Sequence, residues 1–269
     1  MTRAVTLLAP AKINLALAVT GKRDDGYHEL RSVFATIDLA DRVRVAPHRR
    51  LEVRIVPDVG APRGEDLASR AVHAMARATD REPAAFVHIR KRVPVAAGLG
   101  GGSSDAGAVL RGLASIWKRD DVDLVAIAAT IGSDVPFFAT GARVAYVGGR
   151  GERVDPLPDP AATHVVVVRS HARLATKEVF GELRTEDLGA AAAVEALRGA
   201  FVRGTVTPQL LRDNARNDLL GAAERGIALA LSGSGPTLFA VADDRRDALR
   251  TARILRRLGL VAHAHTMAG

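Results

Sequence analysis

The sequence contains no cysteine, which excludes a disulfide framework and a thiolate metal site. A reducing cytosol is compatible with this composition, and we expect a cytoplasmic protein. Long apolar runs are also lacking. The mostly apolar stretch from Val5 to Val19 is interrupted by Lys12 and Asn14, and it is too short to span a membrane. We therefore expect a soluble chain, with no membrane partner, whose first segment forms buried strands rather than a signal peptide.

Aromatic residues make up only 4% of the chain, although its net charge of +8 would suit a nucleic-acid-binding protein. The basic residues are scattered singly or in pairs, and so few rings could hardly form a stacking surface for bases. We therefore favour a solvated basic surface and expect no nucleic-acid partner. Of the 38 basic residues 33 are Arg and 5 are Lys, so each lysine is informative. Lys12 and Lys91 both lie in motifs described below.

The 269 residues are enough for one large domain or two ordinary ones. Short apolar or alternating segments predict strands at 13–19, 32–38, 42–46, 51–56, 86–90, 142–147, 163–168, 228–231, 237–242 and 260–265. Apolar residues three or four apart predict helices at 66–79, after the glycine-rich segment through Trp117, at 121–130, between the 163–168 strand and about Arg225, and at 245–258. Three prolines between Val154 and Pro160 would stop regular structure. We therefore predict an α/β chain with domains at 1–155 and 156–269, whose last strand could return to the first domain.

The strongest motif is PVAAGLGGGSSDA, which starts at Pro94 between a predicted strand and a predicted helix. Glycine allows positive φ angles and lets the backbone come close to a ligand. The first N–H groups of the helix lack internal partners, and its dipole is positive at that end, so loop and helix together suit phosphates. Ser103 or Ser104 could cap the helix or contact a phosphate or its metal. The motif is neither a Walker A loop nor a dinucleotide fingerprint, and a flexible turn with a serine cap is the structural alternative.

The segment PAKINL places Lys12 in an apolar setting on or beside the first strand. A buried, unpaired ammonium is very costly, so Lys12 needs an anion unless its side chain reaches solvent at the strand edge. The polar loop that follows, GKRDDGYHEL, contains Tyr27 and His28, which could stack on and hydrogen-bond to a flat ligand. An ordinary loop tyrosine and histidine would explain the same pattern.

Asp134 lies in the segment IGSDVPFF, between Gly132 and Pro136, where the backbone is expected to turn sharply. A carboxylate at that place could cap a helix. It could also accept a proton from a substrate hydroxyl, especially with a lysine nearby to keep it ionised. The spacing along the chain does not by itself place Asp134 beside Lys12.

Taken together, the motifs resemble those of the GHMP kinase superfamily. The block GLGGGSS is similar to the phosphate loop of that superfamily, and GKRDDGYHEL resembles the 4-diphosphocytidyl-2-C-methyl-erythritol kinase family within it. PAKINLALAV, GKRDDGYHEL, KRVPVAAGLGGGSSDAGA, IGSDVPFF, GGRGERVDPL, RNDLL and LSGSGPTLFA occur in the family's order between about residues 9 and 240. The resemblance implies the GHMP two-domain fold, with a first domain like the second domain of ribosomal protein S5, a ferredoxin-like second domain, and the site between them.

The resemblance also implies an activity: ATP-dependent phosphorylation of the 2-hydroxyl of 4-diphosphocytidyl-2-C-methyl-erythritol in the non-mevalonate isoprenoid pathway, with Mg²⁺ on the phosphates. Another GHMP kinase, such as a homoserine kinase, is the alternative. The expected partner is a small-molecule substrate, with no obligate protein partner. No protein ligand to the metal is identified.

By the same resemblance Asp134 is the base and Lys12 its cationic partner. ATP binding is implied for Asp66, Leu67, Lys91, Pro94, Gly98, Leu99, Gly100, Gly101, Gly102, Ser103, Ser104 and Asp105. Substrate binding is implied for Asn14, Tyr27, His28, Phe180, Gly233, Ser234 and Gly235, with Phe180 as the other side of a cytosine sandwich.

Three segments depart from the family's pattern. Asp66-Leu67 replaces the usual Asn-Leu near the adenine, and RSHARLAT at 169–176 lacks the usual Ser-Thr before the aromatic residue. Only 14 residues separate Asn217 from Ser232, where the family has a longer helical stretch. We therefore expect a trimmed second domain and a cleft that is more open on that side.

Overall fold

The structure is a computed structural model that describes residues 3–60, 64–169, 180, 183, 188–219, 230–233 and 235–267. Its strands are β1 (Val5–Lys22), β2 (His28–Pro47), β3 (Glu52–Val56), β4 (Ala85–Arg90), β5 (Val144–Gly149), β6 (Arg153–Pro156), β7 (Thr163–Arg169), β8 (Ala230–Leu231), β9 (Leu238–Ala242) and β10 (Val261–Met267). Its helices are α1 (Leu67–Ala78), α2 (Gly101–Trp117), α3 (Leu124–Ala129), α4 (Val135–Thr140), α5 (Ala191–Arg203), α6 (Pro208–Asn214) and α7 (Arg245–Arg257).

A long antiparallel hairpin of β1 and β2 forms the centre of the fold, and both strands are longer than predicted. Irregularities in the β1–β2 register fall between Pro10 and Lys12 and between Asn14 and Ala16. Such bulges let a strand continue past residues that do not fit a regular ladder, so β1 runs through the whole segment. The predicted strands 32–38 and 42–46 are one strand, because Asp41 is fully buried inside β2 rather than at a break.

The strands form two groups, which are joined by a single residue pair. In the first group β2 pairs with β1, β4 and β5, while β3 pairs with β4 and β6 pairs with β5. In the second, β7 lies between β10 and β9, and β8 continues beyond β9. Met267 of β10 pairs with Ile37 of β2 and joins the two. The last strand thus pairs with a strand from the first half of the chain, and the division into domains at 1–155 and 156–269 remains a prediction.

Hydrophobic clusters among the described residues hold the helices on the strands, and three of them involve most of the helices. Helices α1, α2 and α3 bury one face of β2 and β4. A second core lies between β1, β2, β7 and β9 and helices α5 and α6, and it includes Ile13 and Leu15. A third lies under α7 on β7 and β10. Lys12 and Asn14 alternate with the core residues Ile13 and Leu15 along β1, so the strand presents them on its opposite face, toward the cavity described below.

Two further features of the regular structure differ from what the sequence predicts. Residues 153–156 form β6, although the prolines predicted a break there; Pro156 is the last residue of a four-residue strand, where its missing N–H matters little. The short helix α4 was not predicted, yet Pro136 is tolerated in its first turn because those N–H groups have no helical acceptor.

The last part of the predicted helical stretch, from residue 220 to about Arg225, lies outside the described residues. So does most of the segment between Asn217 and Ser232 that was expected to be trimmed. No helix of the described chain is long and apolar enough to cross a membrane.

Candidate active site

One cavity of about 1300 Å³ gathers most of the residues that the sequence singled out. It is lined by Lys12, Asn14, Tyr27, His28, Asp66, Leu67, Lys91, Pro94, Gly98, Gly100, Gly101, Gly102, Ser103, Asp105, Asp134, Phe180 and Gly233. Leu99, Ser104 and Gly235 do not line it, and Leu99 instead packs into the core beside β1. Ser234 lies outside the described residues. Most of the predicted ATP and substrate residues therefore share one continuous space.

Lys12 is almost fully buried in the wall of this cavity, with 3% of its side chain exposed. Its Nζ donates a hydrogen bond to Asn14 Oδ1 at 2.7 Å and lies 3.5 Å from Asp134 Oδ2. The ammonium also sits over the ring of Phe34, 4.7 Å from its centroid. A buried ammonium requires such partners. The alternative of a lysine that extends to solvent at the strand edge is therefore wrong.

The carboxylate of Asp134 is available for chemistry because it does not cap a helix. Asp134 precedes α4, but its side chain makes no capping hydrogen bond. About a third of the side chain, 32%, is exposed, and the residue lines the cavity. The structure thus brings Asp134 to Lys12 across 122 residues of sequence, which spacing alone could not predict.

Asn14 connects Lys12 to the second glycine loop, at 232–235. Its Oδ1 accepts hydrogen bonds from Lys12 Nζ and, at 2.8 Å, from the backbone N–H of Gly233. Its Nδ2 donates to Ser32 Oγ at 3.0 Å, and Ser32 in turn donates to the carbonyl of Ala16 at 2.6 Å. Every polar group of the amide therefore has a partner, and its orientation is fixed.

The glycine-rich loop packs against the second glycine loop so closely that a side chain would not fit at Gly98. Gly98 has a φ of +72°, and a Cβ there would overlap the carbonyl oxygen of Ser232 and lie 2.8 Å from that of Gly235. Ser232 Oγ donates to the carbonyl of Gly98 at 3.0 Å. Contact between the two loops thus requires glycine at this position.

The N-terminus of α2 presents backbone N–H groups to the cavity. Its N-cap is Gly100, at a φ of +68°, and no side chain of the described residues caps it. The alternative in which Ser103 or Ser104 caps the helix is therefore wrong. The first N–H groups of α2 are left without helical partners, which is the arrangement that binds phosphate at helix N-termini. Ser104 Oγ is buried and has no hydrogen-bond partner among the described residues.

A buried cluster of one cation and two carboxylates lies behind the glycine loop. Lys91 Nζ donates to Asp41 Oδ2 and, at 2.6 Å, to Asp105 Oδ2. Asp41 is fully buried and also accepts from the backbone N–H groups of Arg92 and Val93. Burial raises the pKa of the Asp105 carboxyl to about 7, against the opposing effect of the Lys91 ammonium, and Asp41 adds to the increase. The cluster links β2, the residues after β4 and the second turn of α2.

The apolar end of the cavity includes Ile55, Leu67 and Ile89. Asp66 also lines the cavity, and both of its carboxylate oxygens accept hydrogen bonds from Ser69. Oδ1 accepts from the backbone N–H of Ser69 at 2.8 Å and Oδ2 from its Oγ at 2.6 Å, and the first of these bonds caps α1. A purine contact through Asp66 would have to compete with this cap.

The loop between β1 and β2 is held in shape by its own charges. Arg23 Nη1 donates to Glu29 Oε2 at 3.0 Å, and its Nε donates to Asp25 at 3.1 Å. Asp25 Oδ1 accepts from the N–H of Tyr27 at 3.1 Å, and Arg23 N donates to the carbonyl of Tyr27 at 2.8 Å. The ring of Tyr27 is half exposed as a result, with the guanidinium of Arg150 5.2 Å from its centroid.

His28 and Phe180 stack on each other across the cavity wall, with ring centroids 5.0 Å apart and planes 23° from parallel. This distance is that of a direct aromatic contact, so no flat base fits between these two rings. The cytosine sandwich with Phe180 remains a prediction, and the half-exposed Tyr27 is open for stacking.

Several residues of the site were missed by sequence reasoning. Asp41 lies mid-strand and carries no local signal. Phe34 and Ser32 belong to a strand that reads simply as apolar. Arg150 and Asn217 lie in GGRGERVDPL and RNDLL, two segments that were noted but given no role, so a signal existed for them.

A metal site made by protein side chains alone is not visible in the described part of the chain. No group of three or more His, Asp or Glu residues there could hold a metal ion.

Comparisons with known proteins bear on this geometry. A family model described as GHMP kinases N terminal domain matches residues 66–142. The chain is 39% identical to the 4-diphosphocytidyl-2-C-methyl-D-erythritol kinase of Thermus thermophilus, over 97% of this chain and 96% of that protein. A crystal structure of 4-(cytidine 5'-diphospho)-2C-methyl-D-erythritol kinase is 37% identical with a TM-score of 0.78, covering 98% of this chain and 100% of that one. A crystal structure of homoserine kinase from Cytophaga hutchinsonii has a TM-score of 0.71 at 15% identity, covering 100% and 95%, and shows a shared fold alone.

Proposed function

The chain belongs to the 4-diphosphocytidyl-2-C-methyl-D-erythritol kinase family of the GHMP kinases, and from this premise we propose that it phosphorylates 4-diphosphocytidyl-2-C-methyl-D-erythritol with ATP. The predicted family and fold class are confirmed. The acceptor is the tertiary 2-hydroxyl of the methyl-erythritol unit, and the reaction is a step of the non-mevalonate route to isoprenoids.

The observation that carries the proposal is the pair of Lys12 and Asp134 in the shared cavity. Phosphoryl transfer depends mainly on positioning and on neutralising charge over the phosphoryl oxygens. Lys12 Nζ, 3.5 Å from Asp134 Oδ2, provides a fixed positive charge beside a carboxylate that is partly open to the cavity. In the proposal Asp134 accepts the hydroxyl proton, and Lys12 stabilises the oxygen that attacks and the transferred group.

ATP is proposed to bind with its phosphates on the glycine loop. The uncapped first turn of α2 and the loop before it offer N–H groups without bulky side chains, at Gly100, Gly101 and Gly102. The apolar end of the cavity, near Leu67, is suited to the adenine ring. Lys91 supports the loop from behind, because both of its close anionic partners are protein carboxylates.

Mg²⁺ is proposed to accompany the phosphates, where it neutralises their charge. The described residues fit such an ion only partly. Ser103 lines the cavity at the loop, and most oxygen ligands would come from phosphate and water, as is usual for this ion.

The cytidine end of the substrate is proposed to lie at the β1–β2 loop. Tyr27 offers an open ring, and Arg23 and Asp25 fix its backbone. Arg150 adds a positive charge beside that ring. Binding energy from a remote part of a substrate can orient the reacting hydroxyl.

The location in the cytoplasm and the absence of a nucleic-acid partner remain predictions.

A coupled assay of ADP release tests the function directly. Turnover is expected with the diphosphocytidyl substrate and not with homoserine, which has no cytosine to engage Tyr27. Turnover with homoserine alone would support the alternative kinase and contradict the proposal.

A further inference from the structure

The segment Arg216-Asn217-Asp218 is attached directly to the strand that carries the catalytic lysine. Leu17 N donates to the carbonyl of Arg216 at 2.8 Å, and Asp218 N donates to the carbonyl of Leu17 at 3.0 Å. The contact is a parallel bridge between Leu17 and Asn217. This segment does not line the cavity, so its side chains can act on the site only through other residues.

Asn217 holds the second glycine loop by two carbonyl groups. Its Nδ2 donates to the carbonyl of Leu231 at 2.8 Å and to that of Gly233 at 2.9 Å. Its Oδ1 accepts from Leu219 N at 2.9 Å, so the amide is fully satisfied and its orientation is fixed. The two carbonyls flank Ser232, and one side chain therefore sets the path of the loop at this point.

The loop that Asn217 holds leads directly to the catalytic pair. Gly233 adopts a φ of +60°, and its N–H donates to Asn14 Oδ1 at 2.8 Å. The same oxygen accepts from Lys12 Nζ at 2.7 Å. A Cβ at Gly233 would lie 3.2 Å from Lys12 Nζ, which shows how closely the loop covers the ammonium.

We propose that Asn217 is a positioning residue for phosphoryl transfer, acting through Gly233 and Asn14 on Lys12; this inference rests on the proposed function. The two hydrogen bonds from Asn217 Nδ2 keep the Gly233 N–H on Asn14 Oδ1. Asn14 in turn holds the Lys12 ammonium beside Asp134. Without the two donors of Asn217 the loop carbonyls lose their partners, Gly233 moves, and Asn14 can rotate. Displacement of a catalytic group by about 1 Å is enough to cost roughly a hundredfold in rate.

The neighbouring Asp218 forms hydrogen bonds to a different part of the structure than Asn217 does. Its carboxylate accepts from Val19 N at 2.8 Å and from the N–H groups of Gly189 and Ala190 before α5. These bonds join β1 to α5 and do not reach the second glycine loop. Within this segment the link to Lys12 therefore runs through Asn217.

The variant Asn217→Asp tests the proposal, because it keeps the shape and replaces the donor with an oxygen that faces two carbonyl oxygens. We expect kcat to fall about tenfold or more, with the KM for ATP within about twofold of the wild-type value. Asn214→Asp is the matched control: Asn214 Nδ2 donates only to the carbonyl of Leu210 in its own helix, at 2.9 Å. Its kcat should equal that of the wild type.

A double-mutant cycle with Asn14→Ala distinguishes positioning from a loss of stability. If Asn217 acts through Asn14, then Asn217→Asp should cost less than about twofold in kcat when Asn14 is already alanine. Losses that multiply in the double variant would overturn the proposal. If Asn217→Asp does not unfold cooperatively, Asn217→Ser replaces it in the same cycle. Serine retains one donor, so this variant should show an intermediate loss of kcat. A wild-type kcat for Asn217→Ser would overturn the proposal. Wild-type protein that does not turn over the diphosphocytidyl substrate would instead refute the function itself.

Discussion

Replacing Lys12 by arginine keeps the positive charge but enlarges the head group at a position with three close neighbours. The ammonium is enclosed by Asn14, Asp134 and the ring of Phe34, at 2.7, 3.5 and 4.7 Å. The lysine stem is equally confined, since a Cβ at Gly100 would lie 3.0 Å from Lys12 Cγ. A planar guanidinium is larger than an ammonium and cannot take the same position between these groups.

The size of the effect follows from overpacking. Extra atoms in a filled site cost about 1–3 kcal/mol, and if that strain is expressed in the transition state, kcat falls roughly fivefold to more than a hundredfold. We therefore expect Lys12→Arg to lower kcat about tenfold or more in the ADP-release assay. Charge is conserved, so the protein should still fold and unfold cooperatively.

Lys118→Arg is the control for this substitution. Lys118 is exposed and ends α2 as its C-cap, away from the cavity, so its kcat should be unchanged. The reasoning fails if Lys12→Arg turns over ATP at the wild-type rate, because the compact shape of the lysine would then be irrelevant to the reaction.

Three further predictions concern other parts of the site. Asp134→Asn should lower kcat about a hundredfold or more with little change in KM, as expected for loss of a general base, and near-normal turnover would refute that role. Gly98→Ala should destabilise the protein by about 2 kcal/mol or more in urea unfolding, because the methyl group overlaps Ser232 and φ is +72°; an unchanged midpoint would contradict the close packing of the two loops. The pKa of Asp105 is raised to about 7 by burial, so the folded state retains a proton that the unfolded state has released, and stability should fall as pH rises from about 4 to about 7. Asp105→Asn should flatten this part of the pH–stability curve relative to the wild type, whereas an identical slope would show that another group causes it.

The fold could be predicted from sequence where hydrophobic periodicity was regular. Helices α1 and α7 end within two residues of their predicted limits, and the strand before the glycine loop starts one residue early. The prediction failed where tertiary contacts overrode local pattern. Bulges carry β1 past its polar residues, and β6 pairs with β5 in a segment that proline content marked as irregular.

The candidate site shows which kinds of residue a sequence can reveal. Two lysines were informative because this chain otherwise uses arginine, and both are buried against carboxylates, at Asp134 for Lys12 and at Asp41 and Asp105 for Lys91. A compact ammonium fits such narrow sites better than a guanidinium does, so the lysines that lie in these two motifs, unlike the exposed Lys118, meet a steric demand. Asp41 illustrates the opposite case. Its burial is stable only because Lys91 and two backbone N–H groups some 50 residues away supply donors. No pattern of neighbouring residues encodes those partners, and a carboxylate inside a strand therefore looks like a break in it.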